Sequence, residues 1–280
     1  MDTGLQGKAV LVTGATTNIG RGIARAFALE GARVAIGGRD AEAGAVVVAE
    51  ALGAGAAEAV FLAADLLDPA AAAGLVREAE ARFGPLDVVV NNAGGNAAVC
   101  DFVDSTEEHW RFDFDINVLS ALRVTHAALP AMIARGQGGR IINIASTAGL
   151  IGDAFLTSYS AAKAALYGFT AELACEMGRH EITVNAIAPY GTMPSNPAER
   201  PSRGSRFHPE VGVFGGASGD RQRLGNIARQ TVLPRRMAHT DEIGGAAVYL
   251  ASRQAAFVTG ETIVVDGGMR LGWRHPDTPG

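Results

Sequence analysis

Short apolar runs of strand length recur along the chain, separated by longer stretches whose apolar residues repeat at helical spacing. The runs are Lys8–Thr13, Arg33–Ile36, Ala59–Ala63, Leu86–Val90, the RIINIAS stretch ending at Ser146, Ile182–Pro189 and Glu261–Val265. Between them a helical pattern starts near Ile19, occupies Ala41–Leu52, reaches Phe83, covers Thr106 to about Arg135 and carries Tyr159 and Lys163. It returns over Thr240–Ala251, where Thr240 is the expected N-cap and Glu242 a favourable first-turn charge. Strands alternating with helices predict an α/β fold: a doubly wound parallel sheet of about seven strands, helices on both faces, in a single domain. Two segments fall outside the pattern. Residues 190–231 are rich in Pro, Gly, Ser and Arg and too long for an ordinary connection, so a substrate-covering loop is expected there. Its arginines, Arg200, Arg203, Arg206, Arg221 and Arg223, are either solvated or suited to a carboxylate or phosphate such as an acyl thioester of coenzyme A. Phe207, Val211, Val213 and Phe214 could instead line an apolar pocket, and residues 270–280 form a polar tail with Trp273.

Composition narrows the partners. With 280 residues, 28.8 kDa and 48% hydrophobic content, the chain can bury a full core. A net charge of -5 and a pI near 5.7 give no reason to expect nucleic acid or an anionic membrane. The first residues lack a signal-like basic and apolar sequence, and no run approaches the roughly 18 apolar residues that span a bilayer, so a cytoplasmic location is expected. Cys100 and Cys175 make no disulfide or metal pattern, the six histidines are scattered, and no metal is expected. Apolar helix faces suggest a homo-oligomer.

The candidate chemistry collects where strands end. Lys8–Thr13 stops at Gly14, and the turn T-G-A-T-T-N-I-G leads into a helix, so Gly14, Thr16, Thr17, Asn18, Ile19 and Gly20 are candidates for holding a pyrophosphate on main-chain N–H groups. The turn does not match G-x-G-x-x-G. The next strand ends in Gly38-Arg39-Asp40, the position that reads an adenosine ribose. An acidic side chain there bonds the 2′-hydroxyl and an arginine accommodates a 2′-phosphate, so Arg39 favours NADP(H) over NAD(H), with Asp40 on the ribose as the alternative. Asp65 and Leu66 follow the third strand, and Asn91-Asn92-Ala93-Gly94 follows the fourth, where ligands of such sheets bind. Asp65 could equally cap the helix that starts near Asp68-Pro69.

Tyr159 and Lys163 lie one helical turn apart and share a face. An ammonium beside a phenol stabilises the phenolate and turns the tyrosine into a usable acid/base near neutral pH. Ser146, at the tip of an apolar run, can bring its hydroxyl towards Tyr159. Asn117 sits inside a helical pattern, where its amide competes for backbone groups, and so invites a special reason.

Together T-G-x-x-x-N-I-G, N-N-A-G, the interior Asn, Ser-x12-Tyr-x3-Lys and V-N-A-I-A-P resemble the short-chain dehydrogenase/reductase family, a Rossmann fold, from about Lys8 to Met269. The resemblance implies an NAD(P)(H)-dependent oxidoreductase that interconverts a carbonyl and a secondary alcohol. Tyr159 would exchange the proton with the substrate oxygen, Ser146 would hydrogen-bond that oxygen, Lys163 would tune Tyr159 and hold the nicotinamide ribose, and Asn117 would anchor a relay water through a kinked helix. It also places Asp65 and Leu66 at the adenine edge, and implies cofactor contacts from Asn91, Ala93, Gly94, Pro189 and Thr192. Two departures stand out: Asn18 replaces the middle glycine of the turn, a position an asparagine tolerates at positive φ, and Tyr190 stands where glycine usually follows the proline. The same site serves dehydration, epimerisation or dihydrodiol oxidation in alternative readings, and a non-catalytic dinucleotide sensor is the rival from another class.

Overall fold

The computed structural model describes residues 2–196, 230–233 and 236–272. Of the expected loop, residues 197–229 lie outside the described part, with its arginines and the Phe207–Phe214 group, as does the tail from residue 273 with Trp273.

The apolar runs form β1 (Ala9–Val12), β2 (Arg33–Gly38), β3 (Glu58–Ala63), β4 (Val88–Asn91), β5 (Gly139–Ile144), β6 (Ile182–Pro189) and β9 (Thr262–Val265). They build one parallel sheet in the order β3-β2-β1-β4-β5-β6-β9. Successive residues of a strand face opposite ways, and both faces are apolar. Val10, Val12, Val34 and Ile36 pack on one side with Ile23, Phe27, Ile243 and Leu250. Leu11, Ala35, Ile141 and Ile182 pack on the other with Leu75, Phe83 and Met132.

The helices that cover these faces are α1 (Asn18–Leu29), α2 (Ala41–Ala54), α3 (Pro69–Phe83), α4 (Glu107–Phe114), α5 (Ser120–Arg135), the short α6 (Ala148–Ile151), α7 (Thr157–Met177) and α8 (Thr240–Ala251). A small parallel pair, β7 (Thr192–Met193) with β8 (Ala238–His239), joins the two edges of the long connection. Strand order reverses between β1 and β4, so the crevice outside their carboxyl ends is where a ligand of this fold binds.

Three details differ from the sequence pattern. The stretch expected as one helix from Thr106 is broken into α4 and α5 by a π-helical turn, Asp115–Leu119, with Asn117 inside it. The N-cap of α8 is His239 rather than Thr240: the Glu242 carboxylate accepts from His239 N at 2.7 Å, while the Thr240 hydroxyl is buried against Ser195 Oγ at 3.0 Å. Finally, the stretch Glu107–Arg135 is long and apolar enough to cross a membrane, with mean hydropathy 1.3, although no such run was expected. Part of its apolar surface is packed internally: Val124, Ala128 and Met132 are fully buried in the core.

Candidate active site

The turn after β1 is held in shape from both sides. Gly14 (φ 60°) and Asn18 (φ 43°) are both left-handed, so the asparagine takes the conformation that the sequence required of it. Asn92 Nδ2 donates to Thr13 O at 2.8 Å and Gly14 O at 3.0 Å, and Thr13 Oγ1 accepts from Asn92 N at 2.9 Å and Ala93 N at 3.0 Å. These bonds staple β4 to β1 at the switch point. A Cβ at Gly20 would lie 2.4 Å from Gly14 O, so only glycine lets α1 approach this closely. Thr17 is the N-cap of α1 and makes no side-chain cap, and the turn faces the helix N-terminus, where main-chain N–H groups and the helix dipole favour an anion. This glycine-lined cradle fits a pyrophosphate.

At the end of β2, Arg39 Nη1 lies 3.8 Å from Asp65 Oδ2, both half-exposed. Asp40 is occupied as the N-cap of α2, accepting from Ala43 N at 3.0 Å. Asp68 caps α3, and Asp65 accepts from Leu67 N at 3.1 Å instead, so Asp65 is not the cap of that helix. The Leu66 side chain is buried in the core.

Asn91 also turns inward. Its Nδ2 donates to Thr125 Oγ1 at 2.8 Å and Asn143 Oδ1 at 2.9 Å, and Asn143 Nδ2 donates to Thr170 Oγ1 at 2.9 Å, forming a buried polar ladder between β4, β5, α5 and α7.

Lys163 and Tyr159 project together from α7, 4% and 8% exposed. Lys163 Nζ stands 5.8 Å from the Tyr159 ring centroid and donates to Ile144 O at 2.7 Å. Ser146, two residues beyond β5, accepts from Ala148 N on its Oγ at 3.2 Å. Asn117 is fully buried: its Nδ2 donates to Gly95 O and Asp113 O, both at 2.7 Å, and its Oδ1 accepts from Gly95 N at 3.2 Å. The bond to the carbonyl four residues back competes with the regular helix ladder, which accounts for the π turn. Gly94 completes the wall. A Cβ there would lie 2.6 Å from Asn117 Oδ1 and 3.0 Å from Lys163 Nζ, so Gly94 lies against both side chains.

At the end of β6, Pro189 O accepts from Thr147 N at 3.1 Å. Thr192 Oγ1 donates to Tyr190 O at 2.7 Å and is buried, so its hydroxyl is committed to the chain. Tyr190 donates to Gln230 Oε1 at 2.9 Å, and burial together with the charge of Asp153 pushes its phenol up to about 12.

The short chain dehydrogenase family model matches residues 8–202, and a second one, enoyl-(acyl carrier protein) reductase, matches residues 212–270. The chain belongs to the short-chain dehydrogenase/reductase family. The 3-oxoacyl-[acyl-carrier-protein] reductase of Escherichia coli is 36% identical, covering 95% of this chain and 98% of that protein. The galactitol 2-dehydrogenase of Agrobacterium fabrum is 38% identical, covering 94% and 98%. A solved short-chain type dehydrogenase/reductase from Mycobacterium marinum superposes with TM-score 0.80 at 30% identity, covering 95% and 96%. This protein is therefore an oxidoreductase acting between an alcohol and a carbonyl, of a family that binds a nicotinamide dinucleotide.

For a short-chain dehydrogenase/reductase, the structure sets Lys163 and Tyr159 on one buried face of α7, places Gly94 against Lys163 and Asn117, and places Gly14 against Ala93. It turns the side chains of Leu66, Asn91 and Thr192 away into packing. Three contributors escaped the sequence reading. Asn92 shapes the turn and was visible only as a neighbour of Asn91. Asp113, 2% exposed, accepts from Ala97 N at 2.7 Å and Ser158 Oγ at 2.6 Å; an acid amid apolar helix positions was the signal. Tyr167, one turn beyond Lys163, donates to Ser146 O at 2.6 Å.

Proposed function

We propose that the protein is an NADP(H)-dependent oxidoreductase that interconverts a carbonyl and a secondary alcohol, with Tyr159 as proton donor and acceptor. The observation that carries this reading is the placement of the Lys163 ammonium 5.8 Å from the Tyr159 ring centroid, on one buried helix face. A bound nicotinamide supplies or accepts the hydride. In the reducing direction Tyr159 gives its phenolic proton to the carbonyl oxygen, and Ser146 Oγ donates a hydrogen bond to the same oxygen as charge develops on it. The Lys163 charge stabilises the phenolate that remains, and Lys163 with the Asn117 turn forms the side from which the proton is replaced.

The cofactor preference rests on three neighbouring observations. Arg39 is half-exposed at the ribose position with only a 3.8 Å contact to Asp65. Asp40 is spent as a helix cap. A Cβ at Gly38 would lie 2.6 Å from Thr16 Cγ2, so an acidic side chain there would require Thr16 to shift.

The deciding experiment is Tyr159→Phe, assayed by nicotinamide absorbance on a panel of ketones, acyl thioesters and cyclic alcohols. Turnover should fall by about 10²–10⁴-fold with cofactor binding kept, the usual range for a lost acid/base. Undiminished turnover would rule the mechanism out.

A further inference from the structure

Ser146 has to present its hydroxyl at a fixed distance from Tyr159, yet it lies beyond the last residue of β5 and outside the strand ladder. Its neighbours Ala145 and Thr147 are bonded to β6, and the carbonyls of this stretch are held from α7. Lys163 Nζ donates to Ile144 O at 2.7 Å, and Tyr167 Oη donates to Ser146 O at 2.6 Å. Tyr159, Lys163 and Tyr167 follow one another at intervals of four residues and form one stripe on α7.

Resting on the proposed role of Ser146, we propose that Tyr167 is a positioning residue: its hydroxyl clamps the Ser146 carbonyl to α7 and thereby sets the serine hydroxyl against Tyr159. The other bonds made by Ser146 itself are local, from Gly149 N to its carbonyl at 3.0 Å and from Ala148 N to its Oγ at 3.2 Å, while its neighbours are held to β6, Ala145 N donating to Ile187 O at 2.8 Å and Thr147 N to Pro189 O at 3.1 Å. Only the Tyr167 bond among these ties the turn to the helix that carries the acid/base. The ring of Tyr167 packs with Ala121, Ala145 and Leu166, so a phenylalanine keeps the packing and removes the bond alone. Burial raises the phenol to about 12, so the donor persists at every ordinary assay pH.

The test is a double-mutant cycle of Tyr167→Phe and Ser146→Ala, read as kcat at saturating substrate, with NADPH affinity and thermal midpoint measured on every variant. Tyr167→Phe should lower kcat about tenfold in the parent, since sub-ångström misplacement of a reacting group costs that order, and less than about twofold in the Ser146→Ala background. NADPH affinity should stay unchanged in both. Equal losses in the two backgrounds, or no loss in the parent, overturn the clamp while leaving the role of Ser146 intact. Full turnover in Ser146→Ala removes that role, and the clamp with it. Should Tyr167→Phe lose NADPH affinity together with kcat, Tyr167 is a general packing residue and the proposal fails.

Discussion

At the scale of single residues, the ribose end of the crevice carries the sharpest specificity argument. Removing the guanidinium by Arg39→Ala should lower kcat/KM for NADPH by about 10–100-fold and leave NADH nearly unaffected, because a charge-assisted bond to phosphate contributes about 1.5–3 kcal/mol. Gly38→Asp, which puts an acidic side chain at the ribose position, should not by itself raise activity with NADH, because its Cβ would meet Thr16 Cγ2 at 2.6 Å. Paired with Thr16→Ser, which deletes that methyl, it should raise kcat/KM for NADH; steady-state kinetics with both cofactors check each step. The chemistry of this corner was legible in the sequence because residue type and order suffice: Arg39 after a strand, Tyr159 and Lys163 one turn apart. Side-chain direction was not legible. Asn91 and Asn92 are adjacent and chemically identical, yet strand alternation sends one into a polar ladder and the other to the turn. Nothing local in N-N-A-G says which is which.

At the scale of elements, the π turn between α4 and α5 is the feature that pattern reading could flag but not describe. Asn117 announced an irregularity, while its form depends on Gly95, a residue brought near only by the fold. The same long-range logic hides Asp113, whose carboxylate joins α4 to the start of α7 through Ser158 and to the segment after Gly94 through Ala97 N. Asp113→Ala should leave the Ala97 N–H and the Ser158 hydroxyl without that acceptor in a buried place, costing about 1–3 kcal/mol per unsatisfied group. Asp113→Asn keeps an amide oxygen for Ala97 N and should cost less. Urea midpoints of the two variants give the order, and an alanine variant as stable as the asparagine one would remove Asp113 from the account of how α7 is seated. The helix cap at α8 misled for a similar reason: Thr240 has the right chemistry for an N-cap, but its hydroxyl is drawn to Ser195, and the acid three residues along completes the box on His239 instead.

At the scale of the whole molecule, alternating strand and helix periods were enough to give a parallel two-faced sheet, because the central strands are buried on both sides and read as unbroken apolar runs. The order of strands was carried by the family motifs, not by periodicity. What periodicity misses altogether is how stability depends on pH, which follows from partners distant in the chain or fixed by burial. Burial pushes Tyr167 and Tyr190 up to about 12, against 10.0 in the unfolded chain. Between these values the folded protein keeps protons that the unfolded chain releases, so stability present below pH 10 is lost as pH rises towards 12. On the acid side the Glu242 carboxyl is held down to about 2, first by hydrogen bonding from Arg236 and then by His239 N, against 4.5 unfolded. That contribution is complete above pH 4.5 and disappears as pH falls towards 2. The Arg236–Glu242 pair is well exposed, so salt should weaken its part of the acid limb, whereas the alkaline limb, being set by desolvation, should be nearly salt-independent. Thermal midpoints from pH 2 to 12 at low and high salt test both limbs. Glu242→Gln should flatten the acid limb and leave the alkaline one, Tyr167→Phe should do the reverse, and an alkaline limb that salt abolishes would show that surface charge, not buried tyrosine, controls it.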